Sequence, residues 1–382
     1  MKKVMLVFGT RPEAVKMCPL IIELKKFKDI ETTVCVTGQH AELLSDAMSD
    51  FSVKPDHDLG IMADCRGLFD ITEKTMSGVR ALISEERPEL LVVHGDTTSA
   101  LSAALAAFYL SVPVAHVEAG LRTGDPLSPF PEEFNRRAID ALASYCFAPT
   151  EECVENLLRE RGGGKGVYLT GNTVIDAVRI MLGSSGPDFA GLNGYRTITV
   201  TAHRRENLGR KMEGMLRAVR RIIENNGDVR AVFPMHPNPA VRAAARRVFD
   251  GCPRISLTEP MHTGDFHRLL ARSSLIMTDS GGIQEEGAIL GVPVIVMRDS
   301  TERIKEEKNG DVIVAGTDED EIYKVASYYL ALSSPKARRK MPETTSDSSP
   351  SRKIAELIRS AVTCDGKNEK KYPQDIDNLK FI

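Results

Sequence analysis

The chain of 382 residues is longer than one hydrophobic core usually covers, so its length predicts two domains. Hydrophobic residues make up 42% and charged residues 27%, which is ordinary for a soluble protein, and a net charge of -3 argues against a nucleic-acid or anionic-membrane partner. No apolar run is long enough to span a bilayer, and the first residues predict a strand rather than a signal peptide. The seven cysteines are scattered without metal-ligand spacing, which predicts no metal site and favours reduced thiols in the cytoplasm.

The first part of the chain alternates short β-branched runs with longer segments of helical periodicity. Predicted strands cover residues 3–8, 32–37, 90–93, 113–118, 145–148 and 168–170. Predicted helices run from Pro12 to about residue 26 and over 39–50, 68–84, 97–110, 132–143 and 151–160. Strands separated by helices indicate right-handed parallel crossovers and therefore a doubly wound α/β sheet.

A second alternating set follows Gly171-Asn172-Thr173. Its predicted strands are 197–201, 231–233, 255–257, 275–278 and 294–296, and its predicted helices are 211–224, 239–249, 265–271 and 282–290. Helices are also predicted at 319–331 and 352–362, separated by a polar link at 342–351, and the composition of 364–382 is that of a polar tail. We therefore expect two Rossmann-like doubly wound domains, 1–170 and 171–350, with their strand ends facing one central cleft.

The segment 116–137 concentrates charge directly after a predicted buried strand. It contains four carboxylates and three arginines: Glu118, Asp125, Glu132, Glu133, Arg122, Arg136 and Arg137. Carboxylates crowded with arginines can be held ionised or shifted by burial, and both states suit proton transfer to or from carbon. Because ligands bind beyond the carboxyl ends of parallel strands, the segment predicts a polar site. For any single Glu, a solvated loop with surface ion pairs is the alternative.

A glycine-containing helix start predicts an anion site in the second domain. Asp279-Ser280-Gly281-Gly282-Ile283-Gln284-Glu285-Glu286 follows a predicted strand, and free backbone N–H groups at such a start suit a phosphate or diphosphate. Either Glu285 or Glu286 is then placed to accept hydrogen bonds from a ribose diol. The alternative is a capped helix whose glycines only make a tight turn.

Other polar loops fall at predicted strand ends. Arg11 and Lys16 follow the first strand and suit an anion clamp, although ordinary surface charge is the alternative. His203 precedes two arginines, which favours a role in binding a diphosphate; the alternative is that it caps or hydrogen-bonds a neighbouring residue. Asp96 in His94-Gly95-Asp96-Thr97-Thr98 could equally be a helix N-cap. We expect His236 at the same edge as His203.

Taken together, these motifs resemble the non-hydrolysing UDP-N-acetylglucosamine 2-epimerases. The resemblance covers roughly residues 3–303 and rests on G-T-R-P-E-A-V-K, H-G-D-T-T, H-V-E-A-G-L-R-T-G-D, S-P-F-P-E-E-F-N-R-R, T-G-N-T-V-I-D, A-H-R-R-E-N and D-S-G-G-I-Q-E-E. It implies the GT-B glycosyltransferase-like fold, with a C-terminal helix at 351–363 that returns to the first domain. It also implies cofactor-free, reversible conversion of UDP-N-acetylglucosamine to UDP-N-acetylmannosamine for cell-envelope polysaccharide, by a cytoplasmic homodimer.

The resemblance also implies residue roles. Proton transfer and sugar positioning fall to Asp96, Glu118 and Glu132, with His203 assisting at the diphosphate; which carboxylate takes the C2 proton stays open. The residues implied to hold UDP are Arg11, Lys16, Arg136, Ser280, Gly281, Gly282 and Glu286. A second UDP-N-acetylglucosamine, which activates bacterial members, would meet Gln39, Arg204 and His236.

Two segments depart from the family pattern, and several functions stay open. Residues 304–308 intervene where the family continues directly after Thr301-Glu302-Arg303, and 343–350 replace a family turn before the last helix. The alternatives are a hydrolysing epimerase, an epimerase of a modified UDP-N-acetylhexosamine, a GT-B glycosyltransferase, and a nucleotide-sugar sensor without activity. A glycosyltransferase or a sensor would have no need of the carboxylates at Asp96, Glu118 and Glu132 together.

Overall fold

The structure, a computed structural model, describes residues 1–38, 41–183, 192, 194–298, 312–332 and 349–363. It divides into two compact units: unit 1 contains the described residues of Met1–Ile180 and of 344–382, and unit 2 contains those of Met181–Glu343. The first boundary thus falls at 180/181, whereas the sequence predicted 170/171. The helix that crosses this boundary buries Val174, Ala177 and Val178 before it and Met181 directly after it.

Unit 1 is built on a seven-stranded parallel sheet in the order β3-β2-β1-β4-β5-β6-β7. Its strands are β1 (Lys2–Phe8), β2 (Ile30–Val36), β3 (His57–Asp58), β4 (Leu90–His94), β5 (Val114–Val117), β6 (Tyr145–Ala148) and β7 (Val167–Leu169). The central strands are buried along their length, as expected when helices cover both faces of a parallel sheet. The strand order reverses between β1 and β4, which is where open α/β sheets bind ligands.

The helices of unit 1 begin with recognisable sequence signals. They are α1 (Arg11–Leu24), α2 (Ala41–Ser49), α3 (Leu68–Glu86), α4 (Thr98–Tyr109), α5 (Glu132–Leu142), α6 (Glu151–Arg161) and α7 (Val174–Gly183). Thr10 and Glu13 form a capping box at α1, and Thr97 and Thr150 cap α4 and α6. These caps satisfy backbone N–H groups that a helix start otherwise leaves open.

Unit 2 repeats this architecture with a six-stranded parallel sheet in the order β10-β9-β8-β11-β12-β13. Its strands are β8 (Arg196–Thr201), β9 (Val229–Pro234), β10 (Ile255–Thr258), β11 (Leu275–Thr278), β12 (Val294–Val296) and β13 (Val312–Val314). Its helices are α8 (Arg210–Asn225), α9 (Pro239–Phe249), α10 (Thr263–Arg272), α11 (Gly281–Leu290) and α12 (Glu319–Leu332). The order reverses between β8 and β11. The predicted class of two Rossmann-like α/β domains is confirmed.

Five elements among the described residues were not predicted from the sequence. They are the short strands β3 and β13, the helix α7, and two 3₁₀ turns, at Ile61–Asp64 and Arg205–Asn207. Strands of two or three residues are defined by their sheet neighbour, so they leave almost no periodicity in the sequence. The polar link predicted to reach residue 351 is also wrong at its end, because the last helix, α13, already begins at Pro350 (Pro350–Thr363).

Helix α13 packs against α1 within unit 1. Ile354 and Ile358 are fully buried, and the Ser351 backbone N–H donates to Asp176 at 2.8 Å. Across the parts of the chain that the structure describes, no helix combines the length and apolar character that crossing a membrane requires.

Candidate active site

In unit 1, two carboxylates stand at neighbouring strand ends beside the point where the strand order reverses. Glu118 follows β5 and Asp96 lies two residues after β4. The Lys16 ammonium, one turn and a half into α1, donates to the Glu118 carboxylate, and the two side chains are only 9% and 10% exposed. Glu118 also has a φ of +68°, a costly backbone conformation for a residue with a Cβ. A cation-paired carboxylate of low exposure on strained backbone is typical of a functional position.

Asp96 is held by helix α5 through two consecutive side chains. The Arg136 guanidinium donates to the Asp96 carboxylate and lies 3.4 Å from the fully buried Glu133. The Asn135 amide donates to the Asp96 carbonyl at 2.9 Å. Helix α5 therefore fixes both the backbone and the charge of Asp96.

A buried carboxylate, Asp140, ties the loop after β5 to the loop after β4. It accepts hydrogen bonds from His116 Nδ1 at 2.7 Å and the Gly120 N–H at 3.1 Å, and Arg122 lies 2.8 Å away. His116 also faces the Gly95 carbonyl at 2.7 Å, so its ring lies between two oxygen atoms. Burial alone would raise the pKa of Asp140, but His116 and Arg122 bring that pKa below its usual value.

Glu13 joins the loop after β1 to the loop after β4. Its buried carboxylate accepts from the N–H groups of Gly9 and Thr10 and from the Thr97 hydroxyl at 2.8 Å. Burial raises the pKa of Glu13 despite these hydrogen bonds. The loop between β1 and Arg11 is thus joined to the loop that carries Asp96.

Not every predicted residue joins these clusters. Glu132 lies half-buried in the first turn of α5 and makes no hydrogen bond or ion pair with any residue the structure describes. Arg122 pairs with Asp140 and Glu160 rather than with the carboxylates of its own segment. Arg11 is the first residue of α1, at the end of β1.

In unit 2, a single buried carboxylate organises the loop after β8. Asp279, fully buried after β11, accepts from the backbone N–H groups of His203 at 3.0 Å and Arg204 at 2.9 Å and from the Asn207 amide at 3.1 Å. The Arg204 Nε in turn donates to the Asp279 carbonyl at 3.1 Å. The A-H-R-R-E-N motif is therefore built around the first residue of D-S-G-G-I-Q-E-E.

Two histidines stack at this edge. The rings of His203 and His236 lie 5.3 Å apart with an interplanar angle of 12°, as predicted for residues sharing the edge. Burial lowers the pKa of His236, and the neighbouring His203 lowers it further. A neutral His236 can accept as well as donate hydrogen bonds.

The start of α11 has the features of an anion-binding helix terminus. Its N-cap residue, Ser280, makes no side-chain capping bond, and Gly281 and Gly282 form the first turn. One turn later, Glu286 lies 3.2 Å from Nε2 of the buried His267, whose Nδ1 is 2.7 Å from the Thr263 carbonyl. Because Nδ1 faces that carbonyl, Nε2 is the ring nitrogen that faces the Glu286 carboxylate.

Some predicted features fall outside the part of the chain that the structure describes. Gln39 and residues 304–308 and 343–348 lie outside the described residues. Within the described residues, no three His, Cys, Asp or Glu side chains cluster as metal ligands would.

Four organising residues were not assigned a role from sequence: Glu13, Asp140, His267 and Asp279. Glu13 had a detectable signal, since Thr10-x-x-Glu13 is a capping-box pattern. Asp279 opens the D-S-G-G-I-Q-E-E motif, but nothing local indicates that it holds the loop after β8. Asp140 and His267 had no signal, because each acts on residues of another element that only folding brings near.

Two Rossmann-like units with polar residues at the carboxyl edge of each sheet define the doubly wound class shared by GT-B glycosyltransferases. The glycosyltransferase SnogD from Streptomyces nogalater matches this fold with a TM-score of 0.59 at 17% identity, covering 94% of this chain and 98% of that one. A family model described as UDP-N-acetylglucosamine 2-epimerase matches residues 22–359. The chain belongs to the UDP-N-acetylglucosamine 2-epimerase family.

Individual relatives agree with the family match. The UDP-N-acetylglucosamine 2-epimerase of Bacillus subtilis is 45% identical over 361 residues, which covers 93% of this chain and 94% of that protein. The S. aureus MnaA structure with UDP matches with a TM-score of 0.84 and 40% identity, covering 94% and 96%. The Neisseria meningitidis UDP-GlcNAc 2-epimerase bound to UDP-GlcNAc matches with a TM-score of 0.81 and 37% identity, covering 93% and 98%.

Proposed function

We propose that this protein is a non-hydrolysing UDP-N-acetylglucosamine 2-epimerase, which interconverts UDP-N-acetylglucosamine and UDP-N-acetylmannosamine for cell-envelope polysaccharide synthesis. The observation that carries the proposal is the pair of separately neutralised carboxylates, Glu118 with Lys16 and Asp96 with Arg136, at adjacent strand ends. Inversion at C2 removes a proton from one face of the sugar and returns one to the other face. That task needs more than one proton-transfer group, and both groups must be held in place.

The chemistry begins with departure of the nucleotide. The C2–H bond lies beside no carbonyl and is very weakly acidic, so the C1–O bond must break as UDP leaves and positive charge develops on the sugar. A carboxylate takes the C2 proton, and the C–H electron pair forms the C1=C2 double bond of 2-acetamidoglucal. UDP then re-adds to C1 from the same face after C2 is protonated on the opposite side.

The proposed roles in unit 1 follow from charge and burial. Asp96, Glu118 and Glu132 transfer protons or position the sugar. Lys16 and Arg136 pair with the carboxylates of Glu118 and Asp96 and, with Arg11, oppose the negative charge that gathers on the leaving diphosphate.

The proposed roles in unit 2 concern the nucleotide. The first turn of α11, formed by Gly281 and Gly282 after Ser280, offers N–H groups to a diphosphate oxygen. Glu286 accepts from the ribose diol, and His203 assists at the diphosphate. Asp279 supports the role of His203, because its carboxylate accepts a hydrogen bond from the His203 backbone N–H.

The test is a proton NMR time course with UDP-N-acetylglucosamine in deuterated water. We expect deuterium at C2 in UDP-N-acetylmannosamine, with the C1 link to UDP intact. Release of UDP with free N-acetylmannosamine would instead identify a hydrolysing epimerase. An unchanged spectrum would contradict the proposal for this sugar, and 3-amino or uronate variants of the substrate would then be assayed in the same way.

A glycosyltransferase of the same fold is the second candidate, because it would use the same α11 terminus. It is less well supported, since it has no need of two cation-paired carboxylates in unit 1. Replacing Glu118 by Gln separates the two: an epimerase loses C2 exchange, whereas a glycosyltransferase that uses only the nucleotide site retains sugar transfer.

We also propose that a second UDP-N-acetylglucosamine activates the enzyme through Gln39, Arg204 and His236. The stacking of His236 on His203 supports this, because it offers a route from the activator to a diphosphate-binding residue. Stimulation of the reverse reaction by added UDP-N-acetylglucosamine is expected, and strictly hyperbolic kinetics without stimulation would refute it. We also propose that the protein is a homodimer. Light scattering should then give twice the mass of one chain in solution.

A further inference from the structure

His94, the last residue of β4, is a buried polar side chain with no hydrogen bond in the described structure. It is 4% exposed, and neither Nδ1 nor Nε2 meets a donor or acceptor among the described residues. Buried polar groups are nearly always hydrogen-bonded, because an unsatisfied group loses its hydration without compensation. A histidine kept in this condition calls for an explanation other than stability.

The surroundings of His94 are those of the candidate active site. Its Nε2 lies 3.8 Å from Glu118 Oε2, the oxygen that also accepts from Lys16. The titratable groups that face it are Glu118, Lys16 and His116. Burial lowers the pKa of His94 to about 3, even though the Glu118 carboxylate opposes the shift. The imidazole is therefore neutral near pH 7 and has a lone pair on one ring nitrogen.

The reaction gives such a lone pair a use. A carboxylate that takes a proton from C2 ends the step protonated, and it must lose that proton before it can act again. Glu118 is only 10% exposed, so direct loss to bulk water is hindered. Lys16 cannot accept the proton, because an ammonium has no lone pair. His94 is the neutral base at hand.

We propose that His94 is the proton-transfer partner of Glu118, acting through that carboxylate rather than on the sugar. The inference rests on the proposed epimerase function. When Glu118 has taken the C2 proton, its O–H bond breaks and the proton bonds to the His94 Nε2 lone pair, leaving a carboxylate and an imidazolium. When the epimerisation runs in reverse, the imidazolium N–H bond breaks, Glu118 regains the proton and donates it to C2, so no oxidant, cofactor or other reactant is consumed. A side-chain movement of about 1 Å brings the two atoms to hydrogen-bond distance.

The test uses two substitutions in the full-length protein. His94→Phe keeps a ring of similar size but removes both nitrogens, and His94→Gln keeps a hydrogen-bonding side chain that cannot carry a proton at neutral pH. We expect both variants to lose kcat by about 100-fold or more, with KM within about threefold of wild type. C2 deuterium exchange should fall in parallel. The melting temperature of His94→Phe should be equal to or above that of wild type, because an unsatisfied buried group is removed.

Several results would overturn the inference. Wild-type kcat in either variant rules out proton transfer by His94, and recovery of kcat in His94→Gln alone assigns a hydrogen-bonding role instead. If His94→Phe does not fold, His94→Gln decides the question. His57→Gln, at a histidine paired with Glu86, is the matched control and should leave kcat unchanged. Failure of the wild-type protein to epimerise UDP-N-acetylglucosamine would refute the proposed function itself, which keeps the two failures distinct.

Discussion

Replacement of Asp140 by asparagine removes one charge from the centre of unit 1 with little change of shape. Asp140 is 2% exposed and holds three donors, from His116, Gly120 and Arg122. An asparagine offers one carbonyl oxygen, and its NH₂ group must then face a donor. The substitution leaves His116 and Arg122 buried without their shared carboxylate.

The expected cost is that of breaking a buried ion pair. Removing one partner of such a pair lowers the free energy of unfolding by about 3–5 kcal/mol, because the remaining charge stays desolvated. For a unit of this size, that corresponds to a fall in melting temperature of roughly 6–20 °C. The loops that carry Asp96 and Glu118 should also lose their alignment, so kcat should fall along with stability.

The assay is thermal denaturation followed by circular dichroism, with Glu160→Gln as the matched control. Glu160 also pairs with Arg122, but its side chain is 30% exposed, so its loss should cost about 0.2–1 kcal/mol. A melting temperature for Asp140→Asn within 2 °C of wild type, or equal to that of the control, would refute the account of Asp140 as a buried hub (threshold of roughly 1 kcal/mol).

The pH dependence gives a second check on the same residue. The folded-state pKa of Asp140 is lowered, so its contribution to stability is fully present above the pKa of an unfolded Asp, about 3.9, and is lost as pH falls through the lower folded pKa. The difference in free energy of unfolding between wild type and Asp140→Asn should therefore be constant above about pH 5 and become smaller below about pH 4. A gap that widens on acidification would contradict the sign of the shift.

Three further substitutions test other parts of the structure. Gly120→Ala should lower the free energy of unfolding by about 2–5 kcal/mol, because the new Cβ would clash with the Cys153 carbonyl oxygen. Gly124→Ala, at a similar φ but in open space, should lower it by about 1–2 kcal/mol. Urea denaturation measures both. His267→Phe removes the partner of Glu286 and should raise KM for UDP-N-acetylglucosamine about tenfold with kcat little changed, measured by steady-state kinetics. Asp279→Ala leaves several donors of the loop after β8 unsatisfied and should weaken UDP binding by at least tenfold in calorimetry; unchanged affinity would contradict its supporting role.

The features that the sequence predicted correctly are local ones. The strand-end motifs that contain Asp96, Glu118 and Ser280 were placed correctly, because an apolar run followed by polar and glycine residues marks the end of a buried strand. Helix bounds agreed closely where a cap or proline stands at the start, as at Pro239–Phe249. Glu132 shows the limit, since its motif was recognised but the described structure gives it no partner.

The sequence by itself determined the fold class, the family resemblance and the loops that carry charge, because periodicity, turn residues and motif order are properties of neighbouring residues. Only the tertiary structure decided which charges meet. Lys16 and Glu118 are 102 residues apart in the chain, and they pair because the sheet order sets β1 beside β4 and β4 beside β5. The same order leaves His94 buried against Glu118. Ion pairing and burial depend on these distant neighbours, and no local pattern in the chain encodes them.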